Sequence, residues 1–93
     1  ILYLESADNY VSIFYLPELE VKKEMVRTSM KKMEAFLRPL GLVRVHRSFM
    51  VNMANVQWMK REGRIYQIKM KSCDTIIPVS RGYISSVRSL AQE

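Results

Sequence analysis

The stretch Arg44–Asn52, "RVHRSFMVN", decides how this chain folds. It begins as a strand, with Arg44 and His46 on one side and Val43 and Val45 on the other. Arg47 and Ser48 interrupt the alternation, and Phe49-Met50-Val51 resume an apolar run. A strand that stops to set His, Arg and Ser side by side has four uses: catalysis, metal binding, nucleic-acid contact or an ordinary polar turn.

The surroundings read mostly as short strands. Upstream, "ILYLES" is one strand and "DNYVSIFYL" alternates Tyr10, Ser12 and Phe14 against Val11, Ile13 and Tyr15. Ser6-Ala7-Asp8-Asn9 has turn chemistry and joins the two as a hairpin. Pro17-Glu18 ends the second strand, and "EVKKEMV" is a weaker third. In "TSMKKMEAFL" the period changes: Met30, Met33 and Leu37 fall on one helical face, Thr28 or Ser29 caps the start, and Pro39 and Gly41 end it. Downstream, the spacing predicts strands over Leu42–His46, Phe49–Val51, Val56–Met59 and Arg64–Met70, with "KREGR" at 60–64 as a turn that carries Lys60 and Arg61. "KSCD" is another turn, and "TIIPV" is a strand that Pro78 assigns to a sheet edge. From Ser80 the pattern turns helical, with Ile84, Val87, Leu90 and Ala91 on one face. Seven or eight short strands with two short helices make a mainly-β domain, residues 1–93, of a size that folds on a modest core.

Composition narrows the function. No apolar run approaches the roughly 18–20 residues that cross a bilayer, and no signal-peptide pattern is visible. The single cysteine, Cys73, fits a reducing cytoplasm and reads as a tolerated small residue in a turn. The chain opens on a strand without an initiator Met, which points to a domain excised from a longer protein. Net charge is +6, unevenly placed: residues 1–34 hold five basic and six acidic residues, residues 35–93 ten and three. A basic half points to a polyanionic partner, nucleic acid first and an anionic membrane second.

Enzyme readings do badly. One His, no second ligand at metal spacing and only three glycines leave no metal site and no phosphate loop. Ser48 and His46, two apart on a strand, do not seed a triad. No cofactor, metal or small-molecule substrate is expected. Nucleic-acid contact does better, because polar and basic residues gather at three junctions: Asp8-Asn9-Tyr10, His46-Arg47-Ser48 and Ser80-Arg81-Gly82-Tyr83. Arg bonds guanine bidentately and Asn does so with adenine. Ser hydroxyls and a helix start at Ser80, with Arg81 in its first turn, suit phosphate. Asn52 reads as a residue that ties its turn to backbone.

Three blocks, "ILYLESADNYVSIFYL", "RVHRSFMVNMANVQWM" and "TIIPVSRGYISSV", resemble in order and spacing the signature blocks of the LytTR-type DNA-binding domain, the output domain of many bacterial response regulators. The resemblance runs from residue 1 to about 90. It implies an elongated arrangement of small antiparallel β-sheets, with a short amphipathic helix at about 29–37 and a short C-terminal helix at about 81–91. It also implies loops that read successive major grooves of double-stranded DNA and bend the duplex. The base reader of the first hairpin falls on Asn9 or Tyr10, the central one on Arg47 and the closing one on Arg81, and His46 and Ser48 match the central block. Asn9, at the turn, offers both a donor and an acceptor and is favoured over Tyr10, whose ring alternation lays on the sheet. The expected partners are duplex DNA, a second copy on an adjacent repeated site, and a receiver or sensor domain upstream. An RNA-binding module, with Tyr10, Trp58 and Tyr66 stacking bases, and a protein-interaction β domain are the alternatives.

Overall fold

The computed structural model describes the backbone of residues 1–91 and the side chains of residues 1–88. Eight strands form two antiparallel sheets. The larger is built from β1 (Tyr3–Ala7), β2 (Tyr10–Tyr15), β3 (Lys22–Arg27), β4 (Leu42–His46) and β5 (Phe49–Asn52), in the order β3-β2-β1-β5-β4. The smaller contains β6 (Val56–Glu62), β7 (Ile65–Met70) and β8 (Ile76–Val79) in sequence order. Helix α1 (Met30–Leu37) crosses from β3 to β4, and α2 (Ile84–Ala91) closes the described chain. The extents are 34 × 29 × 23 Å, so the elongation is moderate.

Strand β1 is central, and its alternation feeds two cores. Tyr3 faces Val51 across the ladder and Leu4 faces Met50. Tyr3 and Val51 enter a core shared with Ile68, Met70, Ile77 and Val79 of the second sheet and Val87 of α2. Leu4 and Met50 enter the opposite core, with Val11, Leu42, and Met30 and Leu37 of α1. The period of two thus serves two separate layers on one sheet. Tyr3 also stacks on Phe14 at 4.3 Å, and burial raises its hydroxyl above the ordinary tyrosine value.

Helix α1 forms as its pattern demands. Ser29 caps it, its Oγ accepting from the Lys32 N–H at 3.2 Å, while Met30 and Leu37 are buried and Met33 half-buried. Arg38–Leu40 tighten into a 3-10 turn with Pro39 inside it, and Gly41 at φ +90° makes the left-handed exit that a side chain would strain.

Four details differ from the sequence reading. The alternation of β4 is not strict: Arg44 pairs with Met50 and His46 with Phe49, so Val45 is an extra, bulged residue. Val45 keeps the side that alternation gives it and is fully buried in the inter-sheet core, while the bulge brings His46 opposite Phe49, away from the Arg44 side. Strand β6 runs on through Glu62, which places Lys60 opposite Gln67 and Arg61 opposite Tyr66. The turn is Gly63-Arg64 alone, and Lys60 and Arg61 are ladder residues. Strand β8 begins at Ile76 and is an edge strand, as Pro78 requires. The C-terminal helix starts later than Arg81: residues Arg81–Tyr83 form a 3-10 turn and α2 begins at Ile84. Val87 carries its buried face; Leu90 and Ala91 lie outside the described side chains.

Leu4, fully buried at the pivot of the α1 core, gives a direct check of this packing. Leu4→Ala should lower unfolding stability by about 2–5 kcal/mol, whereas Phe36→Ser, at a position 76% exposed on α1, should stay within about 0.5 kcal/mol. Urea titrations of the two variants measure both.

Candidate nucleic-acid interface

The three polar junctions are stitched together by backbone. The two-residue turn Asp8-Asn9 joins β1 to β2, and Asp8 takes the positive φ of 57° that the turn needs. The turn Arg47-Ser48 joins β4 to β5. The ladder brings both turns to one end of the large sheet, and the Ser6 N–H donates to the Ser48 carbonyl at 2.9 Å. From the second sheet, the Ser80 N–H donates to the carbonyl of the bulged Val45, also at 2.9 Å. Asn9, Arg47 and Arg81 are exposed, while His46, Ser48 and Ser80 are half-buried. The exposed side chains are free to meet a partner, and the half-buried ones pack within the loops.

The central loop is held from within. The Arg44 guanidinium donates through Nε to the His46 carbonyl at 2.9 Å and through Nη2 to the Arg47 carbonyl at 2.6 Å. Its third contact is an ion pair to Glu34 Oε1 of α1 at 3.0 Å. His46 accepts from the Ser48 N–H at Nδ1, 3.1 Å away, and its ring meets Phe49 edge-on at 5.7 Å. His46 is therefore a residue that closes the turn. Asn52 ties the far end of β5, its Oδ1 accepting from the Ala54 N–H at 3.1 Å and its Nδ2 donating to the Ile1 carbonyl at 2.8 Å.

Two expectations change at the remaining loops. Ser80 makes no side-chain cap, its N–H is committed to Val45, and a 3-10 turn separates it from α2. The helical segment after Ser80 opens as a 3-10 turn rather than as α2, with the Arg81 side chain exposed in it. Tyr10 is 42% exposed, so its ring does not cover the core. Of the aromatics weighed for base stacking, Trp58 lies on β6 with the Lys60 ammonium 4.5 Å from its ring, and Tyr66 on β7 with the Arg61 guanidinium at 5.7 Å. Tyr10 stands at the end where the loops gather, and Tyr66, opposite Val79, lies near the end of the second sheet from which Ser80 leaves.

The fold also adds residues that the sequence reading passed over. Strand β3 ends with Arg27 paired to Tyr10, and Arg27, Thr28, Ser29 and Lys32 line a shallow hollow with Asp8 and Asn9. The acid-rich first third of the chain therefore contributes cations to the same end. The signal available was the β2–β3 hairpin: carried through as a register, it sets Arg27 opposite Tyr10. Arg44 carried a signal too, as a lone arginine inside an apolar strand. The β6–β7 hairpin, with Arg64 at its tip, lies at the end of the second sheet from which Ser80 leaves.

Exposed cations and one amide stand on short turns at one end of a two-sheet β scaffold. The chain belongs to the LytTr DNA-binding domain family, whose model matches residues 1–92. It is similar in fold, at a TM-score of 0.82 and 24% identity, to a domain described as the LytTr DNA-binding domain of a methyl-accepting/DNA response regulator from Bacillus cereus. That match covers 98% of this chain and 80% of the other. Among curated proteins no relative matches.

The division between readers and holders predicts opposite stability effects. Asn9→Ala should leave stability within about 0.5 kcal/mol and Tyr10→Ala within about 1 kcal/mol. Asn52→Ala, which removes two hydrogen bonds to backbone, should cost about 1–2 kcal/mol. Thermal melts of the three variants in one buffer decide it.

Proposed function

We propose that this domain is the sequence-specific, double-stranded-DNA-reading output module of a bacterial transcription regulator of the two-component type, acting in the cytoplasm. The observation that carries the reading is the backbone stitching of three exposed reader loops at one end of the fold, Ser6 to Ser48 and Ser80 to Val45. Loops fixed before binding lose little freedom when they meet the duplex, and so favour affinity and register. Arg47 and Arg81 read guanine edges from the major groove, and Asn9, ahead of Tyr10, reads adenine. Arg27, Lys32 and Arg64 hold phosphates, together with the Ser48 hydroxyl. His46 keeps the central turn in shape, and Ser80 keeps the closing loop against it.

Size supports loop reading over a limited span. The longest extent, 34 Å, is about one helical turn of B-DNA. One copy thus reaches at most two successive major grooves, and a second copy on an adjacent repeated site extends the contact. A receiver or sensor domain upstream in the parent chain delivers the signal. Competition between duplex DNA and single strands of the same sequence separates this reading from an RNA-binding module that would stack bases on its aromatics.

Selection from a random duplex pool tests the reading: a defined motif should emerge, and weak, equal binding to all sequences would replace it with a protein-interaction role. On the selected site, Arg47→Ala and Arg81→Ala should each cost roughly 1–3 kcal/mol and relax base choice nearby with folding unchanged. Arg64→Ala should lower binding equally on selected and scrambled duplexes. If about 4–6 phosphates are neutralised, log K should fall against log salt with a slope of about −4 to −5. Fluorescence anisotropy over a salt series measures it, and a slope near zero would remove the electrostatic part.

A further inference from the structure

We infer that Arg44 is a positioning residue for base readout, a guanidinium clamp that sets the two arginine reader loops against each other without touching DNA. The inference rests on the loop-reading proposal above and deepens it. Arg44 sits on β4, and its side chain is only 15% exposed. It binds the carbonyls of His46 and Arg47, on either side of the peptide that carries the Arg47 side chain. Its guanidinium carbon also lies 6.0 Å from the centre of the Tyr83 ring, in the 3-10 turn that Arg81 begins. One planar group therefore touches the Arg47 loop and the Arg81 turn together.

Chemistry explains why arginine stands here. Lysine presents a single ammonium and cannot span two carbonyls, a carboxylate and an aromatic face from fixed directions, whereas the planar fork does. Glu34, projecting from α1, accepts from the fork at 3.0 Å and neutralises its charge. A neutralised, mostly buried cation has little to offer a phosphate. The same ion pair fastens the fork to a helix that is itself anchored by Met30 and Leu37 in the core, so the loop geometry is referred back to the rigid part of the domain. Without the clamp, the Arg47 loop keeps its sequence and charge but loses its fixed approach angle. Direct readout needs that angle, and non-specific phosphate contact does not.

The test is Arg44→Lys in the intact domain, with binding measured on the selected duplex and on a scrambled one. We expect a loss of about tenfold on the selected site, the size of roughly one charge-assisted hydrogen bond. Loss on the scrambled duplex should be less than about twofold, and the salt slope should not change, because the charge is kept. In an Arg47→Ala background, Arg44→Lys should cost clearly less on the selected site than it does alone, since part of its effect passes through Arg47. Glu34→Gln, which keeps an acceptor for the fork, serves as the second variant and should show a smaller loss confined to the selected site. Equal losses on both duplexes, or fully additive losses with Arg47→Ala, would overturn the inference, as would a Glu34→Gln that binds all sequences more tightly. If the unmodified domain selects no motif, both this inference and the reading beneath it fail. If a motif emerges and Arg44→Lys binds it like the unmodified domain, only this inference fails.

Discussion

A single backbone hydrogen bond, from the Ser80 N–H to the Val45 carbonyl, joins the two sheets at the point where both supply loops to the same end. It falls at the bulge of β4, the edge strand of the large sheet, where the Val45 carbonyl meets the second sheet and its side chain enters the shared core. The closing strand, its 3-10 turn and Arg81 take their places relative to Arg47 from that junction. Among the described residues, no other backbone hydrogen bond joins the two sheets, which otherwise meet through side chains of the shared core.

The layers on either side support this arrangement in different ways. Strand β1 divides its side chains between two cores, so neither face of the large sheet is left to solvent at its centre. The α1 core is the smaller, and through Glu34 it braces the reader loop. Rigidity at the loops is thus borrowed from burial some distance away, the usual solution for a site built on short turns. With turns of two residues between paired strands, little chain is left to order on binding.

Much of this was legible in the sequence, for local reasons. Alternation in Tyr10–Tyr15, turn chemistry at Asp8-Asn9, and the Met30, Met33, Leu37 spacing after Ser29 each state a short-range preference that the fold keeps. The resemblance of three blocks to a known family located the candidate readers. What was hidden depends on partners distant in the chain. The bulge at Val45 is defined only against β5. Lys60-Arg61 looked like a turn because two cations precede Glu-Gly, yet Gln67 and Tyr66 hold them in the ladder. Ser80 read as the start of an α-helix, but a 3-10 turn intervenes before Ile84 and its N–H meets Val45 of the other sheet. Arg27 and Lys32 belonged to an acid-rich segment on paper and reach the basic end only through the β2–β3 pairing. The role of Arg44 rests on three partners at separations of two, three and ten residues, a pattern that periodicity cannot display.

The outer edge of the large sheet has a further consequence. All six residues of β3 are exposed, and four of them, Lys22, Lys23, Glu24 and Arg27, are charged. An unpaired strand with free backbone donors and acceptors invites another chain to extend the sheet, and charged side chains along it oppose such extension. The charges on β3 thus guard the open edge of the sheet against pairing with a further strand.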